Sequence, residues 1–126
     1  MYAFVVMSNH IHLIWQVQAA YTKEAVQRDF LKFTGQQMKF KLQETNTKFL
    51  DEFKVVAKNK EYQIWERNSL SIDLWSMPLL LQKLNYIHQN SVRAGLCNLP
   101  EQYHYSSAAF YGTGVDGFGF LTHINE

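Results

Sequence analysis

Alternation opens the chain. Tyr2 to Met7 is rich in β-branched and aromatic residues, Ser8-Asn9 marks a turn, and His10 to Val17 alternates with period two, the pattern of two antiparallel strands joined as a hairpin. On the second strand His10, His12, Ile14 and Gln16 share one face, while Ile11, Leu13, Trp15 and Val17 share the other, because successive side chains point to opposite sides. The two histidines therefore point the same way, and the residue between them is expected to anchor in the core.

The period then changes. Thr22 is a predicted N-cap for a long helix over Lys23 to Gln43, with Val26, Phe30, Phe33 and Phe40 near one stripe and Leu31, Met38 and Leu42 beside it. Asn46 is predicted to start another helix running to about Val56, and Tyr62 to Glu66 to form a strand that returns to the sheet. Pro78 suits the first turn of a further helix with Leu80, Leu84 and Ile87 as its buried stripe, and Lys83, Tyr86, Asn90 and Arg93 as a polar stripe opposite. Gly95 and Pro100 bound that helix, and a short helix is predicted around Ser106 to Tyr111. The chain, 1–126, reads as one α+β domain with a flexible glycine-rich tail from about residue 112.

Composition narrows the class. With 47% hydrophobic and 18% charged residues the chain has the balance of a folded domain rather than a disordered one. A single cysteine, Cys97, can form no internal disulfide. Met1 to Met7 lacks the basic leader and cleavage site of a signal peptide, so the expectation is a cytoplasmic protein. Beyond the N-terminal strand the longest apolar run, near Pro78 to Leu81, falls far short of the roughly 20 residues needed to span a bilayer, and no membrane partner is expected.

Net charge is only +1 but unevenly spread. Lys23 to Lys60 carries nine basic and five acidic residues, a local +4, and the remainder carries three basic and six acidic ones, a local −3. The middle is the expected phosphate-facing surface; the alternative is that its lysines solvate the outer faces of amphipathic helices.

His10-Ile11-His12 is the motif richest in chemistry. Alternate residues on a strand lie about 6.5 to 7 Å apart on one face, near enough for two imidazoles to converge on one divalent ion. Histidine triad proteins also use alternating histidines, but position 14 is isoleucine, which leaves only two. Tyr86 and Asn90 lie one turn apart on the polar side of the Pro78 helix, so a phenol and a carboxamide project from one rigid element.

These runs resemble a known family. Phe4 to Ile14 (FVVMSNHIHLI) is similar to the strand that carries the His-hydrophobe-His motif of the single-tyrosine HUH transposases. Tyr86 to Leu96 (YIHQNSVRAGL), followed by Pro100-Glu101 and Tyr105-Ser106-Ser107, resembles the tyrosine segment of their REP-associated branch, and the Trp65-Glu66-Arg67-Asn68 stretch fits the middle region. Serine stands at positions 8 and 91, where the family commonly has proline.

The resemblance implies a ferredoxin-like antiparallel sheet with helices on one face, and a reaction that nicks and rejoins single-stranded or hairpin DNA. It implies that His10 and His12 bind Mg²⁺ or Mn²⁺, that Asn90 is the third ligand with Gln89 as the other candidate, and that Tyr86 is the nucleophile. Lys32, Lys39, Arg67, Lys83 and Arg93 are then the candidate DNA-binding cations. His88, about 200° round the helix from Tyr86, is expected to be structural or to contact DNA. Family members ordinarily carry a strand and a helix ahead of the segment that here begins at Tyr2; without them an exposed sheet edge is expected to favour a homodimer or lower stability. Two alternatives stay open: a remnant that binds hairpin DNA without cutting it, and a structural α+β protein in which the histidine pair and Tyr86 coincide by chance.

Overall fold

A computed structural model of the chain describes residues 1–53, 63–66 and 69–126. They form two compact units, one built from Met1–Gln16 and Ile72–Glu126 and the other from Val17–Ser71. The class is α+β: among the described residues there is one two-stranded antiparallel sheet and five α-helices.

The first unit begins with the hairpin. Strand β1 (Ala3–Val6) pairs with β2 (Ile11–Ile14) in the register Ala3↔Ile14, Phe4↔Leu13, Val5↔His12, Val6↔Ile11. The turn closes through the Met7 amide, which donates to the His10 carbonyl at 2.8 Å. The other edge of β1 is met by the backbone of Tyr105 to Ser107: Val6 donates to the Tyr105 carbonyl, Ser107 donates to the Phe4 carbonyl, and Val5 bridges Ser106. This satisfies backbone groups that a bare edge would leave to solvent.

Helix α3 (Met77–His88) lies on one face of the hairpin. Ser76 caps it by accepting from the Leu79 amide at 3.3 Å, and Pro78 sits in the first turn, where a missing N–H costs nothing. Leu84 and Ile87 pack with Ala3, Val5, Ile14 and Ile124, and Leu80 joins from the rim, so the predicted apolar stripe of α3 is the buried one. Burial of each large aliphatic side chain there contributes about 1.5 to 3 kcal/mol. The expectation for β2 is corrected: Ile14, on the histidines' own face, is its buried residue, whereas Ile11 and Leu13 are half-buried. Helix α3 covers the histidine face and so draws the core there.

After Gln89, which caps α3, a short helix α4 (Asn90–Arg93) follows, and a Schellman closure ends it. Leu96 donates to the Ser91 carbonyl, Gly95 donates to the Val92 carbonyl, and Gly95 adopts φ 75°, a conformation that glycine takes without steric cost. Helix α5 (Ala108–Thr113) comes next, displaced from the predicted 106–111. The glycine-rich segment beyond it is anchored rather than loose. Phe118 and Phe120 pack on Phe4, the Asp116 carboxylate accepts from the Phe118 and Leu121 amides, Thr122 donates to the Met1 carbonyl, and Ile124 enters the core.

In the second unit α1 (Lys23–Thr45) is capped by Thr22, whose hydroxyl oxygen accepts from the Ala25 amide at 3.2 Å. Its half-buried stripe runs through Val26, Phe30, Leu31, Thr34, Gly35, Met38 and Leu42. Phe33 and Phe40, predicted to belong to it, are 63% and 49% exposed. Trp65 supplies the reason: its indole N–H donates to the Thr34 hydroxyl at 2.9 Å, and a methyl group on Gly35 would touch the ring at 3.4 Å. The helix thus presents its small residues to the indole and turns the two phenylalanines out.

Asn46 caps α2 (Thr47–Leu50), and a 3-10 turn follows over Asp51–Phe53. The rest of the predicted 46–56 helix lies outside the described residues, as does Tyr62. The predicted strand over 62–66 is not formed by its described part: Gln63 to Glu66 is irregular and lies against α1 instead of joining the sheet. No helix among the described residues is long and apolar enough to cross a membrane.

Candidate active site

The hairpin and α3 bring His10, His12 and Tyr86 into one contiguous group. The His10 and His12 rings stand edge to face with centroids 5.2 Å apart, and the Tyr86 ring lies 6.1 Å from His12 at 80°. Register explains the first contact: His12 pairs with Val5 inside the ladder, and His10 sits at the mouth of the turn on the same face. The packing of Leu84 and Ile87 on the sheet explains the second, because it rolls the Tyr86 side of α3 toward β2. Tyr86 remains 50% exposed and thus open to a large ligand.

Asn9 is a residue that sequence reasoning missed. Its side-chain oxygen lies 2.7 Å from His10 Nδ1. An amide oxygen only accepts, so in the neutral ring this contact places the proton on Nδ1 and leaves the Nε2 lone pair for a ligand. In the sequence the Ser8-Asn9 pair is a turn signal and part of the run that resembles the HUH strand, with no role of its own assigned to Asn9.

His12 is held below the ordinary histidine range, first by burial, then by the neighbouring charges of His10 and Arg93. It therefore remains a neutral donor at pH values where a free imidazole begins to protonate. Two cations flank the phenol. The Arg93 guanidinium carbon is 4.3 Å from the Tyr86 ring centroid and Lys83 Nζ is 5.9 Å from it. Arg93 also donates to the Tyr86 carbonyl at 2.8 Å, which fixes its side chain across the ring. These two of the five expected DNA-facing cations thus border Tyr86. Lys32 and Lys39 belong to the second unit, on α1, and Arg67 lies outside the described residues.

Asn90 starts α4, one turn beyond Tyr86, and its amide nitrogen is buried with no hydrogen-bond partner. A buried amide end without a partner costs about 1 to 3 kcal/mol, so this side chain is suited to a further ligand. The amide can rotate to put its oxygen in the same place. Gln89, the other candidate, is half-buried at the junction of α3 and α4. Among the described residues no group of three His, Cys, Asp or Glu side chains is arranged to hold a metal ion. The ring contacts at the site join His10, His12 and Tyr86, so the two imidazoles are the metal-type donors that the hairpin brings together. Imidazoles are donors of the type that suits Zn²⁺, Fe²⁺ or Cu²⁺, whereas a carboxamide oxygen such as that of Asn90 is of the type that suits Mg²⁺ or Mn²⁺.

His88 points away from this group. It is buried, with Nε2 2.7 Å from the Ser107 hydroxyl, and is held at about 4 by burial, against a smaller opposing pull from Glu101. Of the two expectations for His88 the structural one fits.

No protein-family model matches the chain, and neither does any curated protein or solved structure.

Proposed function

We propose that the chain is a metal-dependent, single-tyrosine endonuclease and strand transferase of the HUH transposase type, acting on single-stranded or hairpin DNA. The observation that carries this reading is the contiguity of His10, His12 and Tyr86, with Arg93 and Lys83 both over the Tyr86 ring. Two imidazole donors beside an accessible phenol with two cations over its ring form the combination that attack on a phosphodiester requires.

In this reading Tyr86 Oη attacks the phosphorus of one backbone phosphate. The phenolic proton passes to water, the bond from phosphorus to the 3′-oxygen breaks, and that oxygen leaves as a 3′-hydroxyl after taking up a proton. A 5′-phosphotyrosine link results. Arg93 and Lys83 hold the phosphate oxygens and offset the charge that builds on them. A divalent ion bound by His10, His12 and Asn90 would polarise the same phosphate. Attack by another 3′-hydroxyl on the phosphotyrosine reverses the step and rejoins DNA without an external energy source.

The hairpin and α3 are, on this account, the part of a ferredoxin-like fold that bears the site. Among the described residues β2 pairs only with β1, and its outer edge is where a second copy would add in a homodimer. A cytoplasmic location belongs to the same reading.

A second reading has its own support. Among the described residues no third His, Cys, Asp or Glu joins the histidine pair, and this favours the alternative of a hairpin-DNA-binding remnant that does not cut. Incubating the protein with labelled hairpin-bearing single-stranded DNA and Mn²⁺ separates the two. A covalent adduct that survives denaturation and is lost in Tyr86→Phe supports the nuclease; retention of DNA with no adduct supports the remnant.

A further inference from the structure

The contacts between α3 and the sheet are mostly apolar: Leu84 and Ile87 meet Ala3, Val5 and Ile14. Such contacts are non-directional, so they hold the helix against the sheet without fixing where along the sheet it sits. Tyr86 and the histidines are on different elements, and their separation depends on that setting.

One polar connection is directional. His88 ends α3, two residues after Tyr86, and its Nε2 lies 2.7 Å from Ser107 Oγ. Ser107 is fully buried and bound to β1 at three points. Its Oγ accepts from the Phe4 amide at 3.0 Å, its hydroxyl donates to the Phe4 carbonyl at 3.2 Å, and its own amide donates to that carbonyl at 3.0 Å. With the hydroxyl proton on Phe4, His88 donates from Nε2–H to Oγ, and every group in the set is satisfied. Phe4 pairs with Leu13, and its neighbour Val5 pairs with His12. A chain of directional bonds therefore runs from the Tyr86 helix through His88 and Ser107 to the strand that holds the histidines.

We propose that His88 and Ser107 form a positioning pair that sets the Tyr86 phenol relative to His10 and His12. The inference rests on the reading of Tyr86 as the nucleophile, but its physical content is the placement of the ring. Neither residue touches the substrate; both act through the helix. A misplacement of about 1 Å at a reacting group can cost about a hundredfold in rate, and the loss of one directional bond in an otherwise apolar contact is the kind of change that produces it.

The test has two readouts on the full chain. 3-Fluorotyrosine at position 86 reports the ring's surroundings by ¹⁹F NMR without DNA, and single-turnover adduct formation at saturating DNA and Mn²⁺ reports the chemistry. His88→Ala and Ser107→Ala should each shift or broaden the ¹⁹F signal and slow adduct formation about tenfold to a hundredfold. The double variant should be no slower than the singles, since both break one connection. His88→Gln, whose amide reaches the Nε2 position, should recover most of the rate. Ile87→Val, which thins the apolar contact alone, should lower the melting temperature while leaving the ¹⁹F signal and the rate near the wild-type values. An unchanged ¹⁹F signal in His88→Ala and Ser107→Ala overturns the inference whether or not the protein cuts DNA. Equal rate losses in Ile87→Val and His88→Ala also overturn it, since general loosening then explains both. Failure of the wild-type chain to form an adduct contradicts the nuclease reading and leaves the ¹⁹F comparison to decide this one.

Discussion

The Arg93 guanidinium lies across the Tyr86 ring, its central carbon 4.3 Å from the ring centroid, and donates to the carbonyl oxygen of the same tyrosine at 2.8 Å. A cation tied to the backbone of the residue it covers is preorganised. It needs no rearrangement to meet charge that develops on a phosphate attacked by that phenol. Arg93→Ala should therefore slow adduct formation about a hundredfold, and Arg93→Lys should recover little, because lysine lacks the planar fork that both stacks and donates. Arg93 is exposed, so the melting temperature should barely move. A large rate loss with unchanged stability in the two variants is the expected pattern; equal activity of Arg93→Lys and wild type would remove the stacking geometry from the account.

Asn9 acts on the site through His10. Its side-chain oxygen accepts a hydrogen bond from Nδ1–H at 2.7 Å, which in the neutral ring leaves Nε2 as the ligating nitrogen. Removal of a partner that orients a metal-binding histidine typically weakens binding tenfold to a hundredfold. Titration with Mn²⁺ followed by electron paramagnetic resonance should show a loss of that order in Asn9→Ala and a greater one in His10→Ala and His12→Ala. Wild-type affinity in Asn9→Ala would mean that the turn alone orients the ring.

The buried His88 makes stability depend on pH. Burial holds it at about 4, against an unfolded value near 6.5; Glu101 pulls the other way, and the Tyr111 ring lies 5.4 Å from its own. The unfolded chain thus binds a proton that the folded chain excludes. The full stabilisation is present above about pH 6.5 and is lost as the pH falls toward 4, a decline on the order of 3 kcal/mol. Denaturant unfolding at pH 7.5 and pH 4.5 should show the decrease in wild type and a smaller one in His88→Gln. Parallel pH profiles for the two proteins would assign the dependence elsewhere.

Lys32 and Lys39 test the role of the basic middle of the chain. If they contact phosphates, replacing both with alanine should weaken hairpin DNA binding and reduce the slope of log K against log salt by about 2. An unchanged affinity and an unchanged slope would identify them as helix-solvating charges, the alternative weighed for this segment.

Much of the site-bearing unit was legible in the sequence because short-range rules govern it. Period-two alternation and the Ser8-Asn9 turn specify the hairpin, Pro78 marks the start of α3, and the spacing of Leu80, Leu84 and Ile87 identifies the side that packs. What escaped depends on contacts remote in sequence. Helical spacing puts Phe33 and Phe40 on the core stripe of α1, but Trp65, thirty positions beyond Gly35, packs on the small residues instead. The same docking holds Gln63 to Glu66 against α1, where the alternation of Tyr62 to Glu66 suggested a strand. Spacing could place His88 opposite Tyr86, yet its link to Ser107 exists only because residues 105–107 return along β1.

The central claim is that Tyr86 is the residue that joins DNA, and one measurement addresses it directly. Cleavage after Lys83 and Arg93 by trypsin releases the peptide Leu84 to Arg93, in which Tyr86 is the lone tyrosine. After incubation with hairpin-bearing single-stranded DNA and Mn²⁺, nuclease trimming and tryptic digestion, mass spectrometry should find this peptide carrying a 5′-linked nucleotide on Tyr86, with the modification absent in His12→Ala and Tyr86→Phe. An adduct on a different tyrosine, or an unmodified Tyr86 peptide from protein that retains the DNA, would contradict it.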